Sequence, residues 1–260
     1  MALSQPSLFL YGFEIVNGNA YIDFLNASMG TQLTAVIPLG DYACTDLLTA
    51  IEAAFTVADP ANTYTATINR NIAGGTQNRV TISSSGAFFT LLFGSGTHSG
   101  ASPSTLLGFS ASDLTGATSY TGGVSAGTVF ITLYPAFNYV APTRNKKTQG
   151  AVNISANGTK EAITFSQSQF FEAEFRYEPF SSVDNNWQPL FDWMTFQKPF
   201  EFTPQYPTYG TYYSCTLETT EQASDGLAYL LPEMLPEFPG IFRTGKLTFR
   251  VAPIGEAFID

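Results

Sequence analysis

Side-chain chemistry in proteins draws on imidazole, thiol and paired carboxylate groups, and this chain is poor in the first two. Among 260 residues there is one histidine and there are two cysteines. His98 lies in GSGTHSG, where small residues offer no strand or helix to hold it. It is therefore expected to be too mobile to act as the base that a serine or cysteine nucleophile needs. The same shortage leaves no ligand set for zinc or haem. Cys44 and Cys215 share no ligand spacing and read as buried thiols. Gly94, Gly96 and Gly100 approach the spacing of a phosphate-cradling loop, but no Lys-Ser/Thr follows and no long helix begins there, so a surface loop is expected. Glu172 and Glu174, at i and i+2, fall on one face of a strand, and that face is expected to be the solvated one.

Aromatic residues are the more plentiful resource. Trp187, Trp193, Phe196, Phe200, Tyr206 and Tyr209 crowd one stretch and are the candidate interface residues. The alternative for the tryptophans and tyrosines is a platform on which host glycans stack. No catalytic, cofactor-binding or metal-binding residue is assigned, no cofactor is expected, and the protein is expected not to be an enzyme. The enzymatic alternative is a hydrolase that uses Glu172 or Asp192.

Composition points the same way. Only 12% of the residues are charged while 44% are hydrophobic, against about a quarter charged in an average soluble domain. A surface hydrated by Ser, Thr, Asn and Gln repels its neighbours weakly, which suits a subunit packed against copies of itself. The net charge of -10 would repel a phosphate backbone, so specific nucleic-acid binding is not expected, although an acidic bore through which DNA slides would fit. The nearest basic patch, Arg144, Lys146 and Lys147, reads as a solvated loop. The N-terminus MALSQPSLFLYGFEIV lacks the features of a secretory signal, and no apolar run nears the ~20 residues that span a bilayer. Synthesis in a cytoplasm is the expectation, with the sequons at Asn26, Asn153 and Asn157 due to chance.

The periodicities describe a mainly β chain. Asn17-Gly18 reads as a hairpin turn, followed by strands at Tyr21 to Phe24 and Leu33 to Ile37. Leu47, Leu48, Ile51, Ala54 and Phe55 form one stripe of a helix, with Asp41 or Thr45 as cap and Asp59-Pro60 as its end. Tyr64 to Asn69 and Arg79 to Ser83 alternate as a hairpin with Gly74-Gly75 in its loop, and Ala87 to Phe93 is a short buried run. In STLLGFSASDLTG, Ser102 or Ser104 can cap one helical turn that buries Leu106, Leu107 and Phe109 against that helix. Leu114 to Gly127, rich in Gly, Ser and Thr, is the expected boundary between modules, placed at 1–124 and 125–260. Beyond it, strands are expected at Thr128 to Tyr134, Ile163 to Phe165, Phe170 to Tyr177, Phe200 to Phe202, Tyr212 to Glu218 and Lys246 to Val251. A helix is expected at Gln188 to Gln197, with Pro189 early and Pro199 as its stop, and Leu230 to Phe242 reads as a Pro-punctuated packed arm.

YACTDLLTAIEAAF, alternating strands, FFTLLFG and STLLGFSASDLTG together resemble a module of tailed-bacteriophage virion proteins, over about Asp41 to Tyr120. The second half, with NNWQPLFDWMTFQKPFEFTP, YYSCTLETT and PEMLPEFPGIFRTGKLTFRV, is similar to phage tail proteins that continue the tail tube, such as distal tail or baseplate ring proteins. The resemblance implies a β-sandwich or split barrel with one α-helix in each module, and a virion protein made in the bacterial host. It implies a homo-oligomer, a hexameric ring around a DNA channel that contacts other tail or neck proteins, and no membrane partner. Proteins of this kind often carry a long β-hairpin that bridges subunits, for which Phe137 to Thr159 is the candidate. Capsid decoration and a head-to-tail neck position remain the structural alternatives.

Overall fold

In a computed structural model the chain is mainly β, an α+β arrangement of antiparallel sheets with a helix in each of two units. The structure describes residues 8–10, 12–26, 30–69, 78–86, 88–127, 130–132, 139–154, 160–175, 178–179, 188–196, 198–203, 213–218, 233–234, 239, 241–243 and 245–252. An outer unit comprises Met1–Leu10 and Val129–Asp260, and an inserted unit comprises Tyr11–Thr128. The division differs from the expected 1–124 and 125–260 chiefly at the N-terminus. Strand β1 (Leu8–Leu10) belongs to the sheet of the outer unit, a pairing more than a hundred residues away that no local pattern announces.

Among the described residues the inserted unit is built from two larger sheets, a separate two-stranded ribbon and a helix. Strands β2 (Phe13–Ile15) and β5 (Gly40–Tyr42) pair as a ribbon, and β3 (Tyr21–Asn26) lies between β4 (Gln32–Val36) and β8 (Phe89–Leu91), with β9 (Leu114–Ala117) beyond β8. A second sheet has the order β10 (Ser119–Thr121), β7 (Arg79–Ser84), β6 (Tyr64–Asn69), in which β6 and β7 form the expected hairpin; Gly74-Gly75 lies outside the described residues. The Asn17-Gly18 turn exists, since the Asn19 amide donates to the Val16 carbonyl at 3.0 Å, but it joins strands of different sheets. Neither central residue takes the left-handed φ that a two-residue hairpin turn requires, so the strands diverge instead of pairing.

Helix α1 (Cys44–Ala58) buries the predicted stripe, Leu47, Leu48, Ile51, Ala54 and Phe55, together with Cys44. Its N-cap is Ala43 with no side-chain cap, so neither Asp41 nor Thr45 has the expected role. It packs on β4 and β6, one strand from each sheet. Glu52 on its flank accepts the Ala66 amide at 2.8 Å, which occupies part of the outer edge of β6 and blocks strand addition there.

A line of rings crosses the core: Phe24–Phe55 at 4.7 Å between centroids, Phe55–Tyr64 at 4.8 Å, Tyr64–Phe89 at 5.6 Å and Phe89–Tyr120 at 4.9 Å. The line links both sheets to the helix. Residues 104–109 form one helical turn closed as a Schellman motif, with Phe109 N–H on the Ser104 carbonyl (2.8 Å), Gly108 N–H on that of Thr105 (3.1 Å), and Gly108 at φ 80°. Ser102 caps it, its hydroxyl accepting the Ser104 amide at 3.2 Å. Leu107 and Phe109 are buried in the same cluster as α1, and the ring that Phe109 meets is Phe93, 5.4 Å away.

The stretch from Leu114 to Gly127 lies at the end of the inserted unit, which closes at Thr128. Its Ser and Thr residues form β9 and β10, where Thr81 and Thr121, and Ser83 and Ser119, share cross-strand hydroxyl hydrogen bonds of 2.8 Å. Small polar residues suit the exposed side of a sheet as well as they suit a loop.

The outer unit carries a seven-stranded antiparallel sheet in the order β11 (Phe130–Thr132), β1, β15 (Phe200–Thr203), β16 (Tyr213–Leu217), β19 (Gly245–Val251), β13 (Lys160–Phe175), β12 (Tyr139–Ile154). Strands β14 (Glu178–Pro179), β17 (Glu233–Met234) and β18 (Ile241–Arg243) make a small separate sheet that includes part of the expected arm. Phe171, Phe200, Phe202 and Phe249 pack edge-on in the core of this unit. Helix α2 (Gln188–Thr195) contributes Leu190 and Met194, both buried.

Leu10 pairs with Phe130 in β1 and β11, so the insertion leaves and rejoins the outer unit at neighbouring backbone positions. Replacing Tyr11–Thr128 by a short turn should leave an outer unit that unfolds cooperatively, and the excised segment should also melt as a single transition by circular dichroism. Phe109→Ala should lower the stability of the inserted unit by about 3–5 kcal/mol, as for other buried aromatic residues, measurable by urea titration.

Candidate functional site

The loop that holds the only histidine is fixed, contrary to expectation. The buried Asp23 carboxylate on β3 accepts the His98 backbone amide at 2.5 Å, the His98 Nδ1 at 3.0 Å and the Thr34 hydroxyl at 2.6 Å. The imidazole stacks on Tyr21 with ring centroids 4.7 Å apart. On the far side of the loop, Asp113 accepts the amides of Gly94 and Ser95 at 2.8 and 2.9 Å and the Ser95 hydroxyl at 2.5 Å. Gly96 is there because a Cβ would lie 2.6 Å from both the Asp23 Cβ and the Leu92 carbonyl oxygen. Two carboxylates, one of them 75 residues from His98 in sequence, thus do what local structure cannot. Burial tends to raise the Asp23 pKa, but the hydrogen bonds from Thr34 and from the amide and ring of His98 outweigh it and hold the carboxyl below its usual value.

A second buried carboxylate, Asp59 at the end of α1, receives Asn26 Nδ2 at 2.6 Å, Tyr64 OH at 2.8 Å and Asn62 Nδ2 at 2.9 Å. Burial pushes its pKa up and these donors more than reverse the shift, while burial and then Asp59 itself push the Tyr64 phenol up. Asn26 of the first sequon is therefore an internal hydrogen-bond donor. Both cysteines are free and buried, and burial followed by the nearby Glu201 raises the Cys215 thiol well above its usual value. Among the described residues no cluster of three or more His, Cys, Asp or Glu side chains could hold a metal ion. No helix among them is long and apolar enough to cross a membrane. Glu172 is half-buried on β13 and Asp192 is exposed on α2.

The aromatic candidates separate by position. Phe196, just after α2, is 74% exposed, whereas Phe200 is fully buried against Phe249 at 5.2 Å and has no surface left for a neighbour. The alternation that puts Phe202 in the core of the sheet puts Phe200 there too. Trp193 is half-buried, donates Nε1–H to the Pro199 carbonyl at 2.9 Å and carries the Lys198 ammonium 4.6 Å from its ring centroid. That cation covers a face on which a sugar would stack. Trp187, Tyr206 and Tyr209 lie outside the described residues.

The most distinctive element is the hairpin of β12 and β13, two strands of 16 residues each. The candidate range Phe137 to Thr159 holds its first strand. Arg144, Lys146 and Lys147 lie on β12, opposite Phe171, Gln169 and Ser168, and so belong to a strand and not to the expected loop. At its base, Gln169 to Phe175 of β13 also pair with β19. Among the described residues, 160–168 pair with β12 alone, a two-stranded ribbon about 30 Å long at ~3.4 Å per residue. Pro142 falls at a register shift between Val140 and Thr143 on this edge strand, where a missing amide donor is tolerated. Ile154, at the far end of β12, is 70% exposed.

No protein-family model matches the chain, and no curated protein matches it.

Because Asp23 has a lowered pKa in the folded state, its contribution to stability is full above the ordinary carboxylate pKa of about 3.9 and is lost as pH falls below it. Asp23→Asn removes an acceptor from the loop and should cost about 1–3 kcal/mol at neutral pH. It should also flatten the acid limb of stability against pH. Urea titrations of both proteins across that range would reveal it, and superimposable curves would rule out the anchoring role.

Proposed function

We propose that the protein is a structural component of a tailed-phage virion that self-assembles into a ring, hexameric in the simplest reading, at the tail tip, in the baseplate or along the tail tube. The observation that carries this reading is the β12–β13 ribbon. A two-stranded ribbon is marginally stable in water, and a strand with an open edge invites pairing. A projection of ~30 Å is as long as a small domain is wide, enough to lie across an adjacent subunit. Docking there would satisfy its backbone groups and cover Ile154.

The mechanism is geometric. Repetition of one heterologous contact under closed rotational symmetry gives a ring, with contacts of about 1,600 Å² in total at each interface. Phe196 supplies further apolar area for such a contact. The net charge of -10 would make a bore that does not retain DNA. The basic residues of β12, set in an acidic chain, give the hairpin a charge opposite to that of the surface it meets on another copy. Function of this kind needs no catalytic group, and the carboxylates that cluster in the inserted unit are occupied in holding loops.

Electron microscopy of the purified protein tests the reading directly, with closed rings of uniform diameter as the expected result. Deleting residues 148–167 and joining Lys147 to Ser168 through Asn-Gly should leave a folded monomer by sedimentation, and rings of that variant would exclude the hairpin as the bridge. Raising the salt concentration should weaken assembly, and replacing Arg144, Lys146 and Lys147 together by Gln should remove much of that salt dependence.

A further inference from the structure

We propose that Asn17 is a site of spontaneous covalent modification, converting through a succinimide to aspartate and isoaspartate. In this reaction the Gly18 backbone nitrogen, having lost its proton, attacks Cγ of Asn17. A C–N bond forms, the bond from Cγ to Nδ2 breaks, and ammonia leaves. Water then opens the five-membered ring at either carbonyl, so that the net change is uptake of one water and release of one ammonia. No oxidant, metal or second protein takes part.

Among the described residues the geometry singles out this asparagine. Asn17 and Gly18 are both exposed, and neither the Asn17 carboxamide nor the Gly18 amide makes a hydrogen bond within the described residues. The turn is held by its neighbour instead. Asn19 takes the Val16 amide on Oδ1 at 2.7 Å and donates Nδ2–H to the Glu14 carbonyl at 3.0 Å. Its carboxamide is locked while that of Asn17 can rotate towards the backbone. Asn26 and Asn62 are likewise engaged, both on Asp59. Gly18 adds no Cβ to obstruct the attack, and nothing lies within 4 Å of where one would stand.

The product matters where it forms. Either product adds one negative charge to a chain already at -10, three residues from the exposed Glu14. Isoaspartate also inserts a methylene into the backbone between Ile15 and Ala20, both buried, in the connection that sends β2 and β3 to different sheets.

Incubating the full chain at mildly alkaline pH, followed by peptide mapping with fragmentation that separates aspartate from isoaspartate, gives the test. Asn17 should convert faster than Asn19, Asn26 or Asn62, with a rate that rises with pH and isoaspartate as the larger product. Gly18→Ala fits the open space and the backbone angle, so it should melt like the parent while converting about an order of magnitude more slowly. Conversion of Asn17 no faster than that of Asn19 would overturn the proposal, as would a well-folded Gly18→Ala protein that converts at the parental rate. The first comparison needs no variant and stands even if the substitution disturbs folding.

Discussion

The inserted unit depends on one line of aromatic contacts. Phe24 and Phe89 come from one sheet, Tyr64 and Tyr120 from the other, and Phe55 from the helix, so that each ring belongs to an element that could not bury its apolar face alone. Tyrosine in such a line is workable only if its hydroxyl is satisfied. Tyr64 gives its proton to Asp59 at 2.8 Å, and Tyr120 bonds the Phe89 carbonyl at 2.5 Å. The apolar line and the hydrogen bonds of its two tyrosine hydroxyls are therefore one device.

The polar anchors follow from scarcity. With 12% charged residues, the inserted unit holds its anchoring carboxylates mostly with uncharged donors. Asp59 collects two carboxamides and a phenol, Asp113 two amides and a hydroxyl, and Asp23 an amide, a hydroxyl and the one imidazole. Hydrogen bonds to an ionised acceptor are stronger than neutral ones, so a few aspartates suffice to fix loops that contain little but Gly, Ser and Thr.

In the outer unit the tension lies between a well-supported sheet and the ribbon that continues two of its strands. The base of the hairpin is flanked by β19 and the rest is not. Such an element is costly in a solitary chain and natural in an assembled one. Exposed Phe196 and buried Phe200 contrast on a smaller scale: four residues apart, one stands at the surface and the other serves the fold.

Sequence alone determined the elements whose signal is local. The stripe of α1, the β6–β7 hairpin, the turn at 104–109, the helix with Pro189 in its first turn and the alternation of β19 were all legible, because each buries a face with a period of its own. So were the two free buried cysteines. Only tertiary structure decided that β1 joins the sheet of the outer unit, that Asn17-Gly18 separates two strands which do not pair, and that Asp23 pins His98. It also decided that Arg144 to Lys147 continue a 16-residue strand. These facts rest on partners brought together from distant parts of the chain, or on strands whose sequence carries little alternation. Local periodicity reports which face of an element is apolar; the identity of the partner depends on the closure of the whole chain.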